Sequence, residues 1–204
     1  MRDLEQALTD IRAMRSQIAR GTEFRGYGPA AFAATGVLAI LAALAQPHLI
    51  ENPAAETVSY LGLWIATALL TAVIIGADVV TRSRRVHSGL ADEMIQQAAE
   101  QLLPAGIAGA LLTIVIVRYA PQSLWMLPGL WQIMLSVGVF AACRMLPAPL
   151  FVVGVWYLGT GLACLAFAGD AHALSPWAMG LPFGIGQLLA AVLIHLTGPR
   201  DAED

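Results

Sequence analysis

Six long apolar runs alternate with short polar segments from residue 27 almost to the end of the chain. The runs are Tyr27–Ala45, Val58–Ala77, Leu102–Val117, Leu124–Cys143, Leu150–Ala168 and Pro176–Leu196, and none contains Asp, Glu, Lys or Arg. A helix crosses the hydrocarbon core of a bilayer in roughly 17–25 residues, so five of the runs are long enough as they stand. The third reaches that length if Arg118 and Tyr119 snorkel to one interface and Gln101 extends the other end. In lipid only helices and closed barrels satisfy every backbone group, and runs this long exclude barrel strands. The pattern therefore predicts an all-α, polytopic membrane helix bundle. Its six spans are about 27–45, 58–77, 102–119, 124–143, 150–168 and 176–196.

The polar segments set the orientation. All eleven basic residues are arginine. Arg2, Arg12, Arg15, Arg20 and Arg25 precede the first run; Arg82, Arg84 and Arg85 follow the second; Arg144 follows the fourth and Arg200 the sixth. The first, third and fifth connections hold Arg118 alone. By the positive-inside rule both termini are expected to be cytoplasmic. Tyr60, Tyr119, Trp125 and Trp177 fall at the predicted outer ends and Tyr27 at an inner one, where aromatic belts form. The outer connections are short, roughly 12, 6 and 7 residues, which predicts three antiparallel hairpins in sequence. The second and third hairpins share a pattern of Trp, Pro and Gln: Trp125, Pro128, Gln132 and Trp177, Pro182, Gln187. A tandem repeat explains it, as does the general frequency of belt tryptophans and prolines near helix starts.

The cytoplasmic face holds most of the remaining pattern. Residues 1–26 form a separate segment, in which Leu4, Leu8, Ile11, Met14 and Ile18 recur at helical spacing over 3–20. Three placements suit this amphipathic helix: on the inner leaflet, with arginines near anionic lipid head groups; against the second connection; or on a partner. In that connection, Ser88 is placed to cap a helix whose first turn carries Asp92 and Glu93, continuing into the third span with a kink at Pro104. Residues 197–204 form a cytoplasmic tail.

Composition agrees. The chain is 58% hydrophobic and 12% charged, with a mean hydropathy of +0.70, whereas soluble domains carry about 25% charged residues. Nothing at the N-terminus reads as a cleavable signal, because a polar helical segment comes before the first apolar run. A net charge of −3 gives no basic field for nucleic acid.

Candidate chemistry is sparse. Asp78 ends the second span with Arg82 one turn later; a boundary carboxylate can bind a proton or cation, and an i,i+4 pair with Arg82 is the simpler reading. Gln132 and Gln187 are amides well inside spans, suited to a ligand contact or to hydrogen bonds between helices. Thr113, Ser136, Tyr157 and Thr160 extend that polar seam, or bond their own helix backbone. Gly180 with Gly184, Gly159 with Ala163, and Ala105 with Gly109 are small-xxx-small pairs, which pack the bundle or build a homodimer. Of the histidines, His48 and His172 fall outside and His87 and His195 inside, a placement that suits neither haem nor a structural metal; His48 and His172 with Glu51 or Asp170 would make at most a weak outer site. Cys143 and Cys164 lie roughly 21 Å apart in depth at 1.5 Å per residue, too far to pair. No G-x-S-x-G, H-E-x-x-H or P-loop occurs, and no acidic pair lies within the spans. This disfavours hydrolases and ion-driven pumps, and no cofactor is implied.

The stretches GTEFRGYGP (21–29), TRSRRVHSGLADE (81–93), MLPGLWQ (126–132) and LSPWAMGLPFGIGQ (174–187) resemble an uncharacterised family of proteobacterial six-span inner-membrane proteins. The resemblance covers nearly the whole chain, supports the topology and brings no catalytic or binding residue. Two functions are expected from the pattern. One is a non-enzymatic regulatory or scaffolding protein that meets a cytosolic partner through 1–20 and 82–101. The other is a small-molecule carrier or the substrate-binding membrane subunit of a transporter, with Gln132 and Gln187 on the solute.

Overall fold

The computed structural model describes residues 28–86, 91–143, 148–167, 172 and 174–197. Among these residues every regular element is helical. Helix α1 spans Pro29–Leu49, α2 Thr57–Val86, α3 Ala91–Tyr119, α4 Leu127–Ala142, α5 Phe151–Phe167 and α6 Pro176–Thr197. Short 3-10 turns, Pro121–Met126 and Ala148–Leu150, lead into α4 and α5. With those turns counted, five helices are long and apolar enough to cross a membrane. The apolar part of α3, Leu103–Tyr119, falls short of 18 residues. Such an arrangement is compatible with a membrane helix bundle. The expected amphipathic helix over 3–20, Tyr27, Ser88, Arg144 and residues 198–204 of the expected tail lie outside the described residues, while Thr197 closes α6.

Local sequence explains the helix ends. Pro29 and Pro176 open α1 and α6, where a missing N–H costs nothing and the fixed φ suits a helix. Helix α1 runs past its apolar run to Leu49, with Pro47 in its last turn. The link to α2 is folded on itself: Asn52 Oδ1 accepts from the Ala54 and Ala55 amides, and the Asn52 amide donates to Glu56 Oε1 at 3.1 Å.

Each helix packs on the next, and α6 packs back on α1, so the bundle closes on itself. The largest interfaces are α1 with α6 and α4 with α5. Both exceed the contacts within the expected hairpins α1–α2, α3–α4 and α5–α6. Glycine is the reason. A Cβ on Gly36 would lie 3.0 Å from the Gly184 carbonyl, and one on Gly180 would run into Ala43. Gly129 and Gly161 oppose each other in the same way, and a Cβ on either would sit 2.8 Å from the carbonyl of the other. Without side chains at these crossings the helix backbones approach closely, which is how helices gain contact where lipid supplies no hydrophobic drive.

Two clusters fill the interior. One holds Ala42, Ala43, Ile50, Tyr60, Trp64 and Met179; the other holds Leu150, Val153, Tyr157, Ala190 and Ile194. Phe183 packs against both. Tyr60, in the first turn of α2, is buried in the first cluster, whereas Tyr119 and Trp177 are exposed. Helix α2 is otherwise the least buried span.

Candidate functional site

Asp78 closes the arginine-rich end of the bundle. Its Oδ2 accepts the Gly28 amide at 2.7 Å, and its Oδ1 accepts Arg82 Nε at 2.9 Å. Gly28 is the N-cap of α1 and brings no side-chain cap of its own. A carboxylate from α2 therefore supplies the cap, at the helix end where the dipole favours negative charge. A Cβ on Gly28 would collide with Asp78 and Arg82, so the glycine makes room for the pair. Both the i,i+4 ion pair and this cap are structural uses of the carboxylate.

Gln46 forms a second junction. Its Nε2 donates to the Leu174 carbonyl and its Oε1 accepts Trp64 Nε1, both at 2.9 Å. One amide thus ties α1 to α2 and to the segment entering α6. Gln46 is 1% exposed. Sequence reasoning misses it because the uninterrupted apolar run stops at Ala45, one residue short. The apolar Leu49 and Ile50 beyond it were the available signal.

The seam predicted around Gln132 is the most unusual part of the interior. Pro182 lies inside α6 and has no N–H, which leaves the carbonyl four residues earlier without its helical donor. That carbonyl is Ala178, and Gln132 Nε2 donates to it at 2.9 Å. An amide on α4 repairs the break that a proline makes in α6. Trp156 Nε1 from α5 donates to the Pro182 carbonyl at 2.9 Å. We expect Gln132→Leu to cost about 1–2 kcal/mol by orphaning the Ala178 carbonyl, and Pro182→Ala to remove most of that cost by restoring the helical donor. A double-mutant cycle on reversible unfolding in bicelles measures the coupling, and additive effects would show that the two residues do not compensate each other.

Among the described residues, four buried side-chain atoms have no hydrogen-bond partner: Gln132 Oε1, Ser136 Oγ, Tyr157 OH and Tyr60 OH. Thr113 and Thr160, by contrast, donate to carbonyls of their own helices, Gly109 and Trp156. Thr113 Oγ1 also accepts Trp131 Nε1 at 2.8 Å, joining α3 to α4. Gln187 is half-buried beside Gly36 in the α1–α6 interface. The seam does not bring it together with Gln132 in a shared hydrogen bond, and the second and third hairpins place their glutamines in different surroundings.

The small-residue pairs also part company. Gly180 and Gly184 are buried against α1. Gly109 is buried, with Met134 and Trp131 at an ordinary 4.0 Å, and Ala105 is half-buried. Gly159 and Ala163 face outward, with nothing near Gly159. Gly129 and Gly161, which the spacing did not single out, carry the α4–α5 crossing. His48 stands in the last turn of α1, and His48, His172 and His195 are exposed. No metal-holding group of three or more His, Cys, Asp or Glu occurs among the described residues. Both cysteines are free.

Chemically, the interior formed by the described residues offers neutral hydrogen-bonding groups and no ionised one, and most of those groups join helices. No family model matches the chain, and no curated protein or solved structure resembles it at a significant level.

Proposed function

We propose that the chain is a multi-pass protein of the bacterial inner membrane, with both termini cytoplasmic, that acts as a non-enzymatic regulatory or scaffolding partner through its cytoplasmic face. The observation that carries this reading is a helical stem on the arginine-rich side. Helix α2 continues to Val86, and α3 begins at Ala91, well before its apolar part starts at Leu103. At about 1.5 Å per residue the polar part of α3 projects some 18 Å. Its sequence carries Asp92, Glu93 and Glu100 with Gln96, Gln97 and Gln101, residue types suited to a polar protein partner. The Asp78 cap anchors the entry of α1 at the base of the same stem.

A photo-crosslinking residue at position 97, in cells, tests the proposal. The expected result is a protein adduct of one discrete mass, missing when the probe stands at position 58, which is exposed at the opposite end of α2. Adducts to lipid alone at position 97 would overturn it.

The carrier reading keeps one observation in its favour, the unpartnered Gln132 Oε1 in the interior. It requires Gln132 and Gln187 to meet a solute, so replacing both with leucine would abolish uptake while leaving insertion intact.

A further inference from the structure

We propose that Gln187 lines a cleft inside the helix ring that admits water and binds a small uncharged molecule carrying both a hydrogen-bond donor and an acceptor. Gln187 stands at the middle of the 22-residue α6. It is half-buried and has no hydrogen-bond partner among the described residues. A carboxamide brings an NH2 donor and a carbonyl acceptor, and leaving both unmet at mid-membrane depth is costly. Lipid tails offer neither partner.

The position of Gln187 on α6 separates it from the lipid face. Leu181, Ile185, Leu188 and Val192 recur at three- and four-residue steps and are exposed. Gln187 belongs to another face. Its neighbours at three, four and seven residues are Gly180, Phe183, Gly184, Ala190, Ala191 and Ile194. Phe183 packs against both interior clusters, and the other five are buried. A side chain framed by buried neighbours on its own helix is reached through a gap between helices, not from the lipid.

The sequence leaves room for that gap. A Cβ on Gly36 would lie 3.3 Å from Gln187 Cβ, so the glutamine leaves α6 beside a residue of α1 that has no side chain to cover it. Gly180, Gly184, Ala190 and Ala191 add little bulk to the same face. Gln132 does not complete the site, because its Nε2 is held at the Ala178 carbonyl.

Charge sets the class of ligand. No Asp, Glu, Lys or Arg falls within any of the six apolar runs, so an ion would enter without a counter-charge. A lone carboxamide suits water, an alcohol or another amide. Such a site serves a regulator that senses the molecule as well as a carrier that moves it, so the inference stands on neither functional reading.

Cysteine labelling in lipid nanodiscs tests it. Gln187→Cys is compared with Ile185→Cys, two residues away on the lipid face, in a chain with Cys143 and Cys164 replaced by alanine. Methanethiosulfonates react with thiolates, which water supports and lipid suppresses. The neutral hydroxyethyl reagent is expected to label position 187 about tenfold faster than position 185. The trimethylammonium reagent is expected to label position 187 more slowly than the neutral one, each rate being taken relative to a free thiol in water. Equal rates at 187 and 185 would remove the cleft, and equal rates for the two reagents would remove its preference for uncharged molecules. Water-edited solid-state NMR on the unmodified protein covers the case of a variant that does not fold. Magnetisation is expected to pass from water to the Gln187 carboxamide, and its absence would equally overturn the proposal. Uptake, which tests the carrier reading, is a separate measurement and enters neither result.

Discussion

Replacing Gln46 with leucine is expected to destabilise the bundle by about 2–4 kcal/mol. Leucine is close to glutamine in size and apolar, so packing in the surrounding cluster is largely kept. What is lost is the pair of bonds to Trp64 Nε1 and to the Leu174 carbonyl. Each of those groups is left without its partner in an apolar interior, at about 1–3 kcal/mol apiece in proteins and toward the lower end in membranes. Trp64→Phe removes only the indole donor and is expected to cost about 1 kcal/mol. The double variant should cost less than the two together, because the second change removes a partner already idle. Reversible unfolding in bicelles reads all three. A Gln46→Leu protein as stable as the parent would mean that the junction contributes nothing in lipid.

The glycine crossings give the second large effect. Gly161→Val places branched carbons against the Gly129 carbonyl, Ile133 and Gln132. Backbone cannot yield as a side-chain tip does, so α4 and α5 must separate along their whole contact. Overpacking of this kind costs about 1–3 kcal/mol, and the upper end is expected here because the obstacle is main chain. Gly159→Ala is the matched comparison two residues away. Nothing lies within reach of its new methyl group, so the alanine should stabilise the helix by about 0.5–1 kcal/mol. Equal effects at the two positions would show that α4 and α5 do not cross at Gly161.

The contrast between those neighbours shows what was legible in the chain. Six helices followed from six uncharged runs, because lipid demands length and apolarity wherever a helix crosses. Hydropathy, however, ranks a residue without saying which way it faces. Gly159 with Ala163 had the spacing of a packing pair yet points outward, while Gly161 had no such partner in sequence and sits at the crossing. Tyr60 had the position of an interfacial aromatic and turned inward. Gln46 was lost because a polar residue at the edge of an apolar run looks like the end of a span, though a buried amide with two partners looks the same. The i,i+4 spacing of Asp78 and Arg82 announces their pair, but the bond from the Gly28 amide to Asp78, fifty residues away, has no local signature. The complementarity of Gln132 and Pro182 needs the two helices side by side before it can be seen at all.

The closure of α6 onto α1 has a consequence for synthesis. Helix α1 precedes the other five described helices in the chain, and its principal partner, α6, follows all of them. Until Pro176–Thr197 arrives, Gly36 faces lipid instead of Gly184, and Gln46 lacks the Leu174 carbonyl. Domains generally gain structure from the N-terminus onward as they are made. Here α1 is completed only when α6 arrives, so the nascent protein must hold an incompletely paired amide in the membrane while α2 to α5 are made. A chain that stops before α6 loses one helix and, with it, the surface on which its beginning was built to rest.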